Sequence, residues 1–212
     1  MVDLTQFLLY LAAALLLAVT PGPGLFYVAA RTLAGGRAEG VASSLGTGLG
    51  GLVHVLAGSL GVSALVLASA DLFTALKLAG AAYLVWLGLR TVRDASAVLD
   101  GGPAAPAVGL RRAFREGVLV EALNPKTAAF FLAFVPQFLD PAAGHVALQF
   151  VLLGAVSVVL NTLADIAVAF AASGMRDGAA TRPNLIRRLR QASGGAMVAL
   201  GIGLALAKRP AG

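Results

Sequence analysis

Thr20 to Arg31, TPGPGLFYVAAR, continues an apolar run that begins at Leu4 and places two prolines and two glycines where a helix would go on. A proline in a helix interior removes a backbone hydrogen bond and clashes with the preceding turn, at a cost of about 3 kcal/mol. The meaning of such a break depends on its solvent. Of the 212 residues, 58% are apolar and 12% charged, and the mean hydropathy is +0.87. That balance is too apolar for a soluble domain with a charged surface, so the chain reads as an integral membrane protein. Cysteine is absent, which excludes disulfides, thiolate metal sites and thiol redox chemistry.

Six apolar runs lie between polar breaks: Leu4 to Ala30, Val41 to Ala70, Leu72 to Val92, Phe114 to Leu139, Val146 to Ser173 and Ala192 to Ala207. A helical crossing takes about 20 residues, and no alternation of period two suggests a barrel. Leu8 to Val19, with Val28-Ala29-Ala30 behind it, imitates a signal peptide, but no Lys or Arg precedes Arg31. The expected fold is all-α, a polytopic bundle of six transmembrane helices.

A net charge of +6 would suit nucleic-acid binding, yet the placement of the charges argues otherwise. Arg31 and Arg37 follow the first run. Arg90, Arg93, Arg111, Arg112 and Arg115 surround the segment after the third. Arg176, Arg182, Arg187, Arg188 and Arg190 follow the fifth. With six spans these loops share one side, and the loops after spans 2 and 4 carry only Asp71, Asp140 and His145. By the positive-inside rule the arginine loops are cytoplasmic and both termini lie outside, Lys208 and Arg209 being a mild exception. The partner is a lipid bilayer rather than nucleic acid.

The halves resemble one another. Gly80-Ala81 and Gly88-Leu89 in span 3 match Gly195-Ala196 and Gly203-Leu204 in span 6 with identical spacing. Spans 1 and 4 each hold a proline-centred break, at Pro21 to Gly24 and at Leu123 to Lys126. Three spans per half force the second half to run in the opposite sense, the inverted-repeat plan of many transporters. The expected organisation is a single transporter domain over 1–212, with a first repeat at 1–99, a cytoplasmic linker at 100–110 containing DGGPAAP, and a second repeat at 111–212.

Pro21 lies 10 residues before Arg31, and Pro125 lies 10 residues after Arg115. At 1.5 Å per residue both breaks sit about 15 Å deep, half of a hydrocarbon core of about 30 Å. Broken helices at that depth expose helix-end N–H and C=O groups, which are tolerated where they line protein or a cavity. The candidate substrate-binding residues are therefore Pro21, Gly22, Pro23, Gly24, Asn124, Pro125 and Lys126. His54 is mid-span. Ser157, Asn161 and Asp165 recur at i, i+4, i+8 on one face of span 5, which adds Asn161 and Asp165 to the site. Asp165 and His54 are the candidates for proton coupling. His54 also shares a face with Gly46, Gly50 and Gly58, a packing stripe, so an interhelical hydrogen bond competes with a ligand role. Glu121 reads as interfacial and Lys77 as snorkelling to the outer surface, and Tyr83 with Trp86 as packing within span 3.

TPGPG, LKLAGAAYLVWLGLRTVR and FREGVLVEALNPKTAAFFLAFVPQF together resemble the motifs of the lysine exporter and homoserine/threonine exporter family, written LysE/RhtB. The resemblance covers nearly the whole chain, and LNPK-x-x-x-FF-x-x-x-PQF is its most specific part. It implies a six-helix bacterial inner-membrane exporter of amino acids or their derivatives, driven by the proton gradient. The family usually reads PGPN, whereas this chain has Gly24, so an amide that would orient substrate is absent.

An amino-acid zwitterion needs a cationic or N–H-rich pocket for its carboxylate and an anionic or carbonyl-rich one for its ammonium. Lys126 and the helix ends at Gly22 to Gly24 and at Asn124 suit the first, Asp165 and freed carbonyls the second. Protons are the expected second partner, competing with the ammonium at Asp165. No cofactor and no metal is needed, and homodimerisation is left open. A divalent-cation exporter is the alternative, though two His and no Cys make a poor ligand set. An intramembrane enzyme is a further rival, but no nucleophile and base fall in register.

Overall fold

The computed structural model describes residues 4–62, 70–93, 106–175 and 183–206, and all the regular structure among them is helical. In order these are α1 (Leu4–Val19), α2 (Pro23–Gly35), α3 (Arg37–Ala57), α4 (Ala70–Arg93), α5 (Leu110–Ala122), α6 (Pro125–Ala129), α7 (Val146–Met175) and α8 (Pro183–Leu206). A π-helical turn, Gly58–Val62, extends α3. A second, Phe130–Phe134, extends α6 into a 3-10 turn at Val135–Phe138. Most of the expected linker, together with Arg176, Arg182, Lys208 and Arg209, lies outside the described residues.

Both expected breaks are present, and at each a proline starts a new helix rather than kinking an old one, with Pro21 left in the connection between α1 and α2. Pro23 is the first residue of α2 and Pro125 the first of α6. There the missing N–H costs nothing and the fixed φ suits the helix. Asn124 caps α6, its side-chain oxygen accepting from the Lys126 N–H at 3.0 Å. The chain bends by 44° between α1 and α2 and by 42° between α5 and the segment Pro125–Phe138.

Two stretches, Arg37–Gly61 and Val146–Gly174, are each long and apolar enough to cross a membrane, and the two bent pairs bring the number to as many as four among the described residues. The runs expected as spans 3 and 6 correspond to α4 and α8, which are not among these. Asp71, Lys77, Arg90 and Arg93 punctuate α4, and the arginines at 187, 188 and 190 occupy the start of α8, leaving Met197–Leu206 as a shorter apolar helix. Outward faces of the long helices are apolar. Leu45, Leu49, Leu52 and Leu56 of α3 and Leu152, Leu163 and Phe170 of α7 are exposed, a surface suited to lipid.

The centre of the bundle is α3, packed against α2, α5 and α7, while α1 lies on α7 and α4 pairs with α8. Small residues set how closely α3 and α5 approach. A Cβ on Gly50 would lie 2.5 Å from the Val118 carbonyl oxygen, and one on Gly117 would lie 2.7 Å from that of Ser43. This is the small-residue stripe expected around His54. The core beside it is aromatic and aliphatic, with Tyr10, Phe130, Phe131, Val135, Phe150 and Leu153 buried together.

The glycines matched between the halves are not equivalently placed. Gly88 meets the Gly194 carbonyl and Gly80 meets Ala133, whereas nothing lies within 4 Å of a Cβ added to Gly195 or Gly203. Lys77 does not reach outward as expected but is buried at 9% exposure. Tyr83 and Trp86 do pack on each other, with ring centroids 5.6 Å apart.

Candidate functional site

The two breaks meet. The Lys126 ammonium donates to the carbonyls of Leu17 at 3.2 Å and Thr20 at 2.9 Å, at the C-terminal end of α1. Carbonyls left free at a helix end carry partial negative charge, so a cation there is doubly favoured. A Cβ on Gly22 would come within 3.0 Å of the Lys126 side chain, so glycine leaves the passage open. Pro21, Gly22, Pro23 and Gly24 are thus brought against Asn124, Pro125 and Lys126, as the matched depths imply. The sequence assigns Lys126 to a substrate carboxylate, whereas here its ammonium is engaged with main-chain carbonyls.

Glu121 departs most from its sequence reading. Six residues from Arg115 it reads as interfacial, but it is 2% exposed at the same crossing. Its Oε2 accepts from Asn124 Nδ2 at 2.9 Å and its Oε1 from Thr127 Oγ1 at 2.6 Å. A Cβ on Gly24 would stand 2.5 Å from Oε2. Gly24, in place of the usual Asn, is therefore where the Glu121 carboxylate fits. The signal available in the sequence was a carboxylate three residues ahead of NPK. A count along the helix could not show this burial, because the partners of the carboxylate, Asn124 and Thr127, lie beyond the bend that follows Ala122.

Asp165 is 1% exposed and its Oδ2 accepts from Thr47 Oγ1 at 2.7 Å. It lies within electrostatic range of both Glu121 and Lys126. The buried centre thus holds two carboxyl groups and one ammonium. Ser157 is tied to the buried Tyr10 hydroxyl, which also donates to the Leu153 carbonyl at 2.7 Å. His54 stands to one side: its Nε2 is 2.9 Å from the Glu121 carbonyl oxygen and its ring stacks on Phe131 with centroids 6.0 Å apart. That is the interhelical bond weighed for it from sequence, and it orients the last turn of α5.

Between α1 and α7 these groups enclose a cavity of about 20 Å³, room for about one water molecule. Its polar wall holds Thr47, Glu121, Thr127, Ser157 and Asn161. Ala14, Leu17, Ala18, Phe131 and Val158 form the apolar wall. Asp165 stands behind Thr47, and Lys126 behind the end of α1. No group of three or more His, Cys, Asp or Glu suited to a metal ion occurs among the described residues.

A second buried carboxylate escaped the sequence reading. Glu39 at the start of α3 is 4% exposed, and its Oε1 accepts from the N–H groups of Val108 at 2.9 Å and Gly109 at 2.6 Å. Tyr27 of α2 donates to the Ala113 carbonyl at 3.0 Å. The α2–α3 corner thereby holds the beginning of α5, which fixes where the second break falls relative to the first.

The family profile of the LysE type translocators matches residues 15–208. A homoserine/homoserine lactone efflux protein of Salmonella typhimurium is 32% identical over 202 residues, covering 94% of this chain and 95% of that protein. An uncharacterized membrane protein of Vibrio cholerae is 32% identical over 97% of this chain and 99% of its own. A leucine efflux protein of Klebsiella pneumoniae is 29% identical over 64% of each chain. No solved structure matches. With the profile spanning nearly all of the chain and both proline-centred breaks inside it, this protein belongs to the LysE type translocator family and is a membrane transporter, not an enzyme.

Proposed function

We propose that the protein exports small amino acids or their derivatives across the bacterial inner membrane, with proton entry as the driving force. The observation that carries this reading is the clamp of Lys126 on the α1 carbonyls, which makes the two breaks one polar centre inside an apolar bundle. Relatives named for efflux of homoserine, homoserine lactone and leucine support the substrate class.

In this reading six spans form two inverted repeats, with α4 and α8 supplying the third span of each half. The solute enters the cavity between α1 and α7 once the halves rock apart, since the present volume admits only water. Two carboxyl groups facing one ammonium leave the centre one positive charge short. A buried charge without compensation is costly, so the centre holds either a proton or the ammonium of a solute. Exchange of one for the other couples export to proton entry, with Asp165 as the proton-carrying group and Asn161 as a polar contact to the solute. His54 fixes the last turn of α5 and is the second candidate for the proton path.

The test is efflux from cells preloaded with a panel of amino acids, amino-acid amides and esters, and dipeptides, with and without the protein. Expression should lower the retained level of at least one amino acid or derivative, and dissipating the proton gradient should abolish the difference. Unchanged retention across the panel overturns the reading.

A further inference from the structure

We propose that Glu121 is the ammonium-anchoring, specificity-determining residue of this site, and that Gly24 is the space that admits its carboxylate. The consequence is a preference for solutes with one net positive charge, amines whose carboxyl is masked as an ester, lactone or amide, over zwitterions. This rests on the export function proposed above and narrows its substrate class.

Four observations lead there. Both Glu121 oxygens act as acceptors, one from the Asn124 amide and one from the Thr127 hydroxyl. That is the pattern of a carboxylate held open on one side, since each oxygen has a further lone pair. Glu121 also lines the cavity and is its sole ionisable lining residue among those described. The cation nearest the site, Lys126, does not line it, because its ammonium is spent on the Leu17 and Thr20 carbonyls. A solute carboxylate in this cavity meets hydroxyls and Asn161 but no cation, and it lies beside Glu121. A solute ammonium meets a carboxylate there, with which it forms a charge-assisted hydrogen bond.

The position of Gly24 links this chemistry to the sequence. With any side chain at residue 24 the Glu121 carboxylate loses the place it occupies, since even a Cβ falls 2.5 Å from its oxygen. Glu121 and Gly24 therefore act as a pair, one contributed by each broken helix.

The experiment is calorimetric titration of the purified protein with L-leucine and L-leucinamide at about pH 6, below the ordinary α-amino pKa of about 7.7–8.0. The two ligands share a side chain and an ammonium and differ in the charge of the carboxyl end. If neither binds, the pair is replaced by whichever amino acid the efflux panel identifies and its amide. Wild type should bind the amide at least tenfold more tightly. Glu121→Gln should bring that ratio to within about twofold of unity, and Gly24→Ala should lower it as well, which keeps the test available if the first variant fails to fold. Equal affinities in wild type overturn the proposal, as does a ratio that stays high in both variants. A loss of both ligands by the same factor in both variants marks Glu121 as structural and overturns it too. Failure of the export reading looks different: no amino acid or derivative in the panel is then moved at all.

Discussion

The Lys126 ammonium and the Thr20 carbonyl stand 2.9 Å apart across 106 residues of chain. This one bond joins the helix that ends at the first break to the helix that begins at the second. It also holds the ammonium on main-chain carbonyls at the end of α1, and Lys126 is not among the residues that line the cavity. Lys126→Met keeps most of the stem and deletes the ammonium. The Leu17 carbonyl keeps the Thr20 N–H at 3.2 Å, but leaving the Thr20 carbonyl unmatched costs about 1–3 kcal/mol, so the variant should melt a few degrees lower in detergent and lose export by tenfold or more. Wild-type melting with wild-type export would show that the clamp neither stabilises nor serves transport.

The α3–α5 contact predicts opposite outcomes for one kind of substitution at two glycines. At Gly50 an added Cβ runs into the Val118 backbone, and backbone cannot move aside cheaply. Overpacking of this kind costs about 1–3 kcal/mol, so Gly50→Ala should destabilise the folded protein in a thermal-melt assay. At Gly195, an exposed helical position with nothing within 4 Å, alanine should be neutral or stabilise by up to about 1 kcal/mol. If both variants melt alike, the close approach of α3 to α5 is not tight in the folded protein.

Topology tests the inverted repeat. Reporter fusions after Arg93, Arg112 and Arg182 should report cytoplasm, and fusions near Asp71 and Asp140 should report the exterior, as the arginine distribution requires. A cytoplasmic signal at Asp140 would mean that the two broken helices do not cross in opposite senses.

How far the sequence carried these conclusions depends on what each residue needed. The breaks were legible because proline and glycine act locally. The packing stripe at Gly46 and Gly50 was legible because helical periodicity sets a face. Glu121 was not, because what holds its carboxylate is Asn124 and Thr127, brought back onto it by the 42° bend after α5, and a count along a straight helix cannot see that. Lys126 was placed correctly at the crossing, but its partners are backbone carbonyls of another helix, which side-chain chemistry alone does not reveal. Lys77 was misread because the helix face it occupies is set by packing around α4, not by its six-residue distance from Asp71.

The last prediction concerns the relation of Asp165 to the cavity through Thr47. The Thr47 hydroxyl faces two acceptors, the Asp165 carboxyl oxygen at 2.7 Å and the Ser44 carbonyl at 2.9 Å, and it has one hydrogen to give. While Asp165 is a carboxylate the hydrogen is drawn toward it. Once Asp165 takes a proton, the carboxyl itself becomes the donor to Thr47, and the hydroxyl hydrogen turns to Ser44. Because Thr47 also lines the cavity, a proton on Asp165 changes the hydrogen-bonding face offered to solute without Asp165 ever touching it. Asp165→Asn keeps the size and an acceptor oxygen but cannot exchange a proton near neutral pH. In proteoliposomes the variant should insert normally and still exchange solute downhill. It should lose accumulation against a gradient and lose the response to an imposed pH difference, with uphill transport down tenfold or more. Thr47→Val, which retains the carboxyl but cuts the relay, should weaken the same pH response while leaving Asp165 in place. If Asp165→Asn still concentrates solute when a pH gradient is imposed, the proton travels by another group, and His54, bonded to the Glu121 backbone, is the next to substitute.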